Sequence, residues 1–196
     1  MKLHIGCFDV PLAGWHNTDV TMHIMVSRIP FLTEIMHAIG LLDEVRYRQH
    51  KAGIFRKVHY LDATKRFPFS DNSLEAVYSS HMIVNFARET ALQCLREIHR
   101  ALKPGGIVRV AVPDLDQWIK KYDPGDPDAL LALLYLPTIK RKKNHIHWMY
   151  NSTSLKSLLE AAGFGEVTPC EMFSGKCPDV ERIDYRTDSI FMEGIK

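Results

Sequence analysis

No CxxC pair occurs among the four cysteines Cys7, Cys94, Cys170 and Cys177 of this 196-residue chain. The spacing argues against a paired-cysteine zinc site and predicts four reduced thiols. Cys170 and Cys177 could supply half a zinc site, but nothing pairs with them at ligand spacing, so no metal is expected. Long apolar runs are also missing. The longest, Ala129 to Leu136, falls well short of the roughly 20 residues that span a bilayer. The first residues carry no positive stretch followed by an apolar segment, so no secretory leader is expected and a cytoplasmic location is. Neither charge dominates: 25 Lys and Arg face 23 Asp and Glu, for a net charge of +2. That leaves no electrostatic footprint for nucleic acid or an anionic membrane. Finally, G-x-G-x-x-G is absent, which weakens any reading as a dinucleotide-binding oxidoreductase.

What remains is ordinary globular composition, 46% hydrophobic and 24% charged, read as one domain over residues 1–196. Lys2 to Cys7 reads as a first strand with a glycine at its end, and residues 15–20 as a second, closing on Asp19. The Phe8 to Gly14 connection is short for parallel neighbours, which usually need a dozen residues or more. Phe31, Ile35, Met36 and Ile39 recur at helical spacing behind Pro30, and a second helical piece runs from about Leu42 to Ala52. Strand three ends at Leu61-Asp62. Strand four, residues 74–78, runs into Ser79-Ser80-His81. Arg88 to Leu102 is the strongest helix, with Ala91, Leu92, Leu95, Ile98, Ala101 and Leu102 on one face. Ile107 to Val112 reads as a buried parallel strand. Short helices are expected at 116–122 and 126–136, and a loop over 140–151. Ser152 to Ala162 is amphipathic, ending at Gly163. Two final strands, 166–173 and 189–195, have no helix between them, so the last should run antiparallel. The pattern is α/β: a three-layer sandwich around a Rossmann-like, mostly parallel seven-stranded sheet.

Six pieces in order resemble the class I S-adenosylmethionine-dependent methyltransferases, nearest the group acting on metabolites, lipids and glycans. They are Lys2–Cys7, Asp19, Leu61-Asp62-Ala63, the Phe67-Pro68-Phe69-Ser70-Asp71-Asn72-Ser73-Leu74-Glu75 turn, Ala76-Val77-Tyr78-Ser79-Ser80-His81, and Leu158-Leu159-Glu160-Ala161-Ala162-Gly163-Phe164; the Leu102-Lys103-Pro104-Gly105-Gly106 stretch carries the resemblance as well. The resemblance implies S-adenosylmethionine as cofactor. It places Gly6, Cys7 and Phe8 at the cofactor's amino-acid end, Asp19 on its ribose, Asp62 and Ala63 on its adenine, and Ser79 and Ser80 near the methyl group. The chain departs from the family at Phe8, where a glycine is usual, at Val84-Asn85, where Glu-His is frequent, and in its reduced N-terminal helices.

Methyl transfer from a sulfonium asks the protein for alignment and exclusion of water, and for a base when the acceptor is a hydroxyl or amine. His81 and Asp114 are the catalytic candidates. Asp116, His145, His147 and Tyr150 are the candidates for binding a small-molecule or glycan-like acceptor. Trp118 and Trp148 could pack around it, and the Lys140 to Lys143 run could bind an anion. The apolar piece 130–136 is either a lid or part of a homodimer contact. Two other readings stay open: a non-catalytic methyltransferase-like binding or scaffold protein, favoured by Phe8 and the missing helices, and an NAD-dependent oxidoreductase.

Overall fold

A computed structural model of the chain describes residues 1–131 and 146–196. Among these residues, strands β1 (Lys2–Ile5), β2 (His16–Asp19), β3 (Val58–Tyr60), β4 (Leu74–Ser80), β5 (Leu102–Pro113), β6 (Glu166–Cys170) and β7 (Ser189–Ile195) form one sheet. Its order is β3-β2-β1-β4-β5-β7-β6. β1 to β5 run parallel, and β7 is antiparallel to both β5 and β6. The mixed sheet with helices around it matches the expected class, and the last strand runs as expected.

The short connection from β1 to its parallel neighbour β2 is held by one side chain. Asn17 Oδ1 accepts from the Leu12 amide (2.8 Å), and its Nδ2 donates to the carbonyls of Leu12 and Trp15 (3.0 Å each). Asn17 is buried. It satisfies loop backbone groups that a crossover helix would have satisfied internally.

One face of the sheet is covered by two helices. The Arg88–Ala101 helix buries Ala91, Cys94, Leu95, Ile98 and Ala101. The Ser152–Ala161 helix buries Leu155, Leu158 and Leu159, and a capping box between Asn151 and Ser154 starts it. Both pack on Leu3, Ile5, Val77, Val108 and Val110. The other face carries Trp15, Ala76, Tyr78 and Ile107, covered by Cys177 and Ile183 from the β6–β7 connection. That connection contains a short helix, Val180–Ile183.

Arg109, with no exposed surface, pins the connection down. Its guanidinium donates to Asp184 (2.9 and 2.5 Å), to Glu193 (2.8 Å), and to the carbonyls of Ser174 and Glu171 (2.9 and 3.0 Å). This explains why β6 stops at Cys170 rather than at Phe173. Beyond Cys170 the backbone turns to feed Arg109, and the Phe173 amide donates to Asp184 (2.8 Å).

The N-terminal helices differ from expectation in what they bury. One spans Leu32–Ala38, so Pro30 lies ahead of it rather than in its first turn. The next spans Glu44–Lys51, with the Asp43 side chain accepting from the Arg46 amide. Phe31, Ile35 and Ile39 form the anticipated stripe, yet they are 76%, 55% and 63% exposed. The spacing predicted the helix correctly, but its apolar face points to solvent. No helix among the described residues is long and apolar enough to cross a membrane.

Candidate functional site

A cavity of about 370 Å³ opens where β1, β2, β3 and β4 end. Carboxyl ends of strands are where open α/β sheets bind ligands, and the volume is in the small-molecule range. Of the expected cofactor residues, Gly6, Cys7, Phe8, Asp19, Asp62, Ala63 and Ser80 line it, and so does the catalytic candidate His81.

At the end of β1 the chain turns through Gly6 at φ 71°, where a Cβ would lie 2.5 Å from Met82 Cγ. Glycine is therefore required by the backbone and by Met82 before any ligand arrives. Phe8 takes φ 43°, the left-handed region that glycine favours. Its ring lies 6.1 Å from that of Phe55 and 6.2 Å from that of His23, with the Arg46 guanidinium 4.5 Å from its centroid. Arg46 is in turn held by Asp9 at 2.6 Å. The chain thus keeps a glycine-like backbone at position 8 and packs the extra side chain against residues 23–55. The Cys7 thiol is pushed up to about 12, by burial first and then by the charge of Asp19. It has no thiolate character.

Asp19 closes β2. Its carboxylate accepts from the amides of Phe8 (3.0 Å) and Thr21 (2.8 Å). Burial raises its pKa, and these amides oppose the rise. Asp62 lies beyond β3 and accepts from the Thr64 hydroxyl (2.6 Å) and amide (3.0 Å). The Thr64 hydroxyl chiefly lowers its pKa, and Lys65 adds to the effect. Ser80 is buried at the end of β4, and its hydroxyl has no well-formed hydrogen bond among the described residues. Ser79 projects from the opposite side of the pleat, is wholly buried, and does not line the cavity.

His81 adopts φ 52° just past β4. Strain at such a position, for a residue that is neither Gly nor Asn, is characteristic of functional sites. Its amide donates to the Ala111 carbonyl (2.9 Å), and its Nε2 lies 2.6 Å from Ser189 Oγ. Burial, and then the positive charge of Arg186, bring its pKa down to about 4. The imidazole is neutral at neutral pH, and burial with Arg186 makes it a weak base.

The remaining candidates lie apart from the cavity lining. Asp114 caps the Leu115–Lys120 helix, accepting from the Asp116 amide at 3.0 Å. Asp116 accepts from Asn151 Nδ2 at 3.2 Å. Tyr150 is fully buried in the core beside Leu155 and Leu159, because its segment is pinned by the Leu115 amide donating to its carbonyl (2.9 Å). His147 is exposed, with its amide on the Val84 carbonyl (2.7 Å). Trp148 is 46% exposed and Trp118 is half-buried, and neither lines the cavity. His145 and the Lys140 to Lys143 run lie outside the described residues, as does all of the 126–136 helix beyond residue 131. Met82, Asn85, Tyr185 and Arg186 line the cavity without having been anticipated. Tyr185 and Arg186 sit in a polar stretch whose pattern carries no period to read.

The donor set bears on what the cavity can hold. The β1–β2 connection has no helix, and three of its amides are committed: Phe8 to Asp19, Val10 to the Cys7 carbonyl (2.8 Å), Leu12 to Asn17. That leaves it without the run of free amides a helix N-terminus offers a phosphate. A buried carboxylate at β2 suits a ribose diol, and Leu61 and Ala63 offer an apolar wall to a purine. A nucleoside cofactor without phosphate fits these residues.

A family model described as a methyltransferase domain matches residues 33–110. No curated protein matches the sequence. Among solved structures, the chain superposes over its whole length on PigF with SAH (S-adenosylhomocysteine), with TM-score 0.55 and 16% identity, covering 50% of that chain. It does likewise on a SAM-dependent methyltransferase of Archaeoglobus fulgidus, with TM-score 0.54 and 15% identity, covering 85% of that chain. With the CurJ carbon methyltransferase the TM-score is 0.52 at 15% identity, over 99% of this chain and 47% of that one. The chain spans about half the length of PigF and of CurJ. At such identities the likeness is one of fold.

Proposed function

We propose that this chain, which has the fold of the class I S-adenosylmethionine-dependent methyltransferases, is an enzyme of that kind acting on oxygen or nitrogen of a small-molecule or glycan-like acceptor. The observation that carries the reading is one cavity that brings together Asp19, Asp62 and Ala63 on one side and a strained, neutral His81 on the other. Asp19 would accept hydrogen bonds from the ribose hydroxyls, and Leu61 and Ala63 would flank the adenine. S-adenosylmethionine supplies an electrophilic methyl group on its own leaving group. The protein's share is alignment, dryness and one proton. His81 is suited to that proton: Ser189 fixes the ring at Nε2, and no hydrogen bond is formed at Nδ1 among the described residues. The committed β1–β2 amides tell against a dinucleotide, whose pyrophosphate needs free amide donors.

The test is transfer of label from methyl-labelled S-adenosylmethionine to a panel of hydroxylated and amine-bearing metabolites and glycans. Turnover on one acceptor class, reduced on the order of 10²-fold or more by His81→Ala, is the expected result. Cofactor binding without turnover on any panel member would favour the non-catalytic, methyltransferase-like binding protein.

A further inference from the structure

We infer that Arg186 holds the carboxylate of the cofactor's methionine arm, an assignment that rests on the S-adenosylmethionine reading above. Among the described residues lining the cavity, Arg186 is the single Lys or Arg. Among the described residues it forms no ion pair, and its side chain interacts with that of Tyr185. Its guanidinium lies over the Tyr185 ring, 5.5 Å from the centroid. It also faces His81, where its charge disfavours the protonated imidazole, while Asp188 acts on that ring in the opposite sense.

Among the described residues, the rest of the cavity lining offers no second cation to a carboxylate. Three carboxylates already line it: Asp9, Asp19 and Asp62. Asp9 is compensated by Arg46 and Asp62 by Lys65 at 3.3 Å. The amides of Phe8, Val10 and Leu12 in the β1–β2 connection are spent on Asp19, the Cys7 carbonyl and Asn17. A carboxylate entering such a wall needs a cation, and a guanidinium with no carboxylate partner among the described residues offers two parallel donors.

Strand order sets the direction. From one edge of the cavity to the other come Asp62 after β3, Asp19 on β2, Gly6 after β1, His81 after β4 and, past β5, Arg186 in the segment that leads into β7. A nucleoside seated between Asp62 and Asp19 directs its amino-acid arm across β1 and β4, and Arg186 lines that same cavity on the side closed by the segment before β7. The position of Arg186 is fixed from behind, because Asp184, two residues earlier, is locked to the buried Arg109.

An acid group on the acceptor is the other source of a carboxylate here, and two ligands separate them. S-adenosylhomocysteine carries the amino-acid arm; 5′-methylthioadenosine has the same nucleoside and sulfur without it. In calorimetric titrations of the full chain, Arg186→Gln is expected to weaken S-adenosylhomocysteine on the order of ten-fold or more, as for a lost charged hydrogen bond. It should leave 5′-methylthioadenosine within about two-fold, and Arg186→Lys should recover part of the loss. Unchanged S-adenosylhomocysteine affinity would overturn the assignment and leave the guanidinium to the acceptor. An equal loss for both ligands would overturn it too, marking Arg186 as merely structural. If the wild-type chain bound neither ligand, the cofactor reading itself would fall.

Discussion

His81 concentrates three unusual properties on one residue: left-handed backbone, burial and a guanidinium neighbour. Its neutral form persists to about pH 4, far below the ordinary histidine value near 6.5. If the ring is the proton acceptor, the acid limb of kcat/KM is expected near pH 4 to 5, with no inflection between 6 and 7. An inflection at 6.5 would assign the limb to a different group. His81, Asp19 and Gly6 could be read from the sequence because each closes an apolar strand. Phe8 could be located but not interpreted: that its backbone would stay glycine-like while its ring turned to Phe55 and Arg46 depends on residues 38 and more positions away. Asp114 caps a helix and Tyr150 lies in the core, and neither lines the cavity. A helix cap and a core tyrosine carry the same residue types as a binding site.

At the level of elements, periodicity identified the helices but not always what they cover. Ile98 and Ile35 both sit on apolar helical stripes, one wholly buried and the other 55% exposed. Ile98→Ala is expected to cost about 2–4 kcal/mol through lost burial and a residual cavity. Ile35→Ser should change stability by no more than about 0.5 kcal/mol. Urea denaturation of the two variants checks the contrast, and equal costs would mean that the Leu32–Ala38 stripe is covered. The tight β1–β2 connection was legible as a conflict between seven loop residues and a parallel pairing. Its resolution lies in the three hydrogen bonds of Asn17, an interior polar residue that no hydrophobic pattern reports.

Across the whole molecule, the sheet's second face depends on buried charge. Arg109 faces two carboxylates, and replacing it by Met would leave Asp184 and Glu193 without a counter-charge. The expected cost is about 3–5 kcal/mol, read from the denaturation midpoint; a cost under about 1 kcal/mol would show the pair to be hydrated. A pH dependence follows from His4, His50 and His81, each lowered to about 4 mainly by burial. Folded values below the unfolded 6.5 mean that the unfolded chain takes up protons first as pH falls. Stability should be full above about pH 6.5, decline from there to about pH 4, and lose nothing further to these groups below that. A denaturation midpoint that stays flat from pH 7 to 4.5 would contradict this. Neither network was visible in the sequence, since Arg109 lies 75 residues from Asp184 and 84 from Glu193, and pairings at that distance are fixed by topology alone.

The central claim is that the cavity at the ends of β1, β2 and β4 binds an S-adenosyl nucleoside through Asp19. Calorimetric titration of the wild-type chain and Asp19→Ala with S-adenosylmethionine tests it most directly. Micromolar binding by the wild type, weakened by about 1–3 kcal/mol in the variant through lost charged hydrogen bonds, is the predicted result. Absence of binding by a folded wild-type chain, or equal affinity in both, would contradict it.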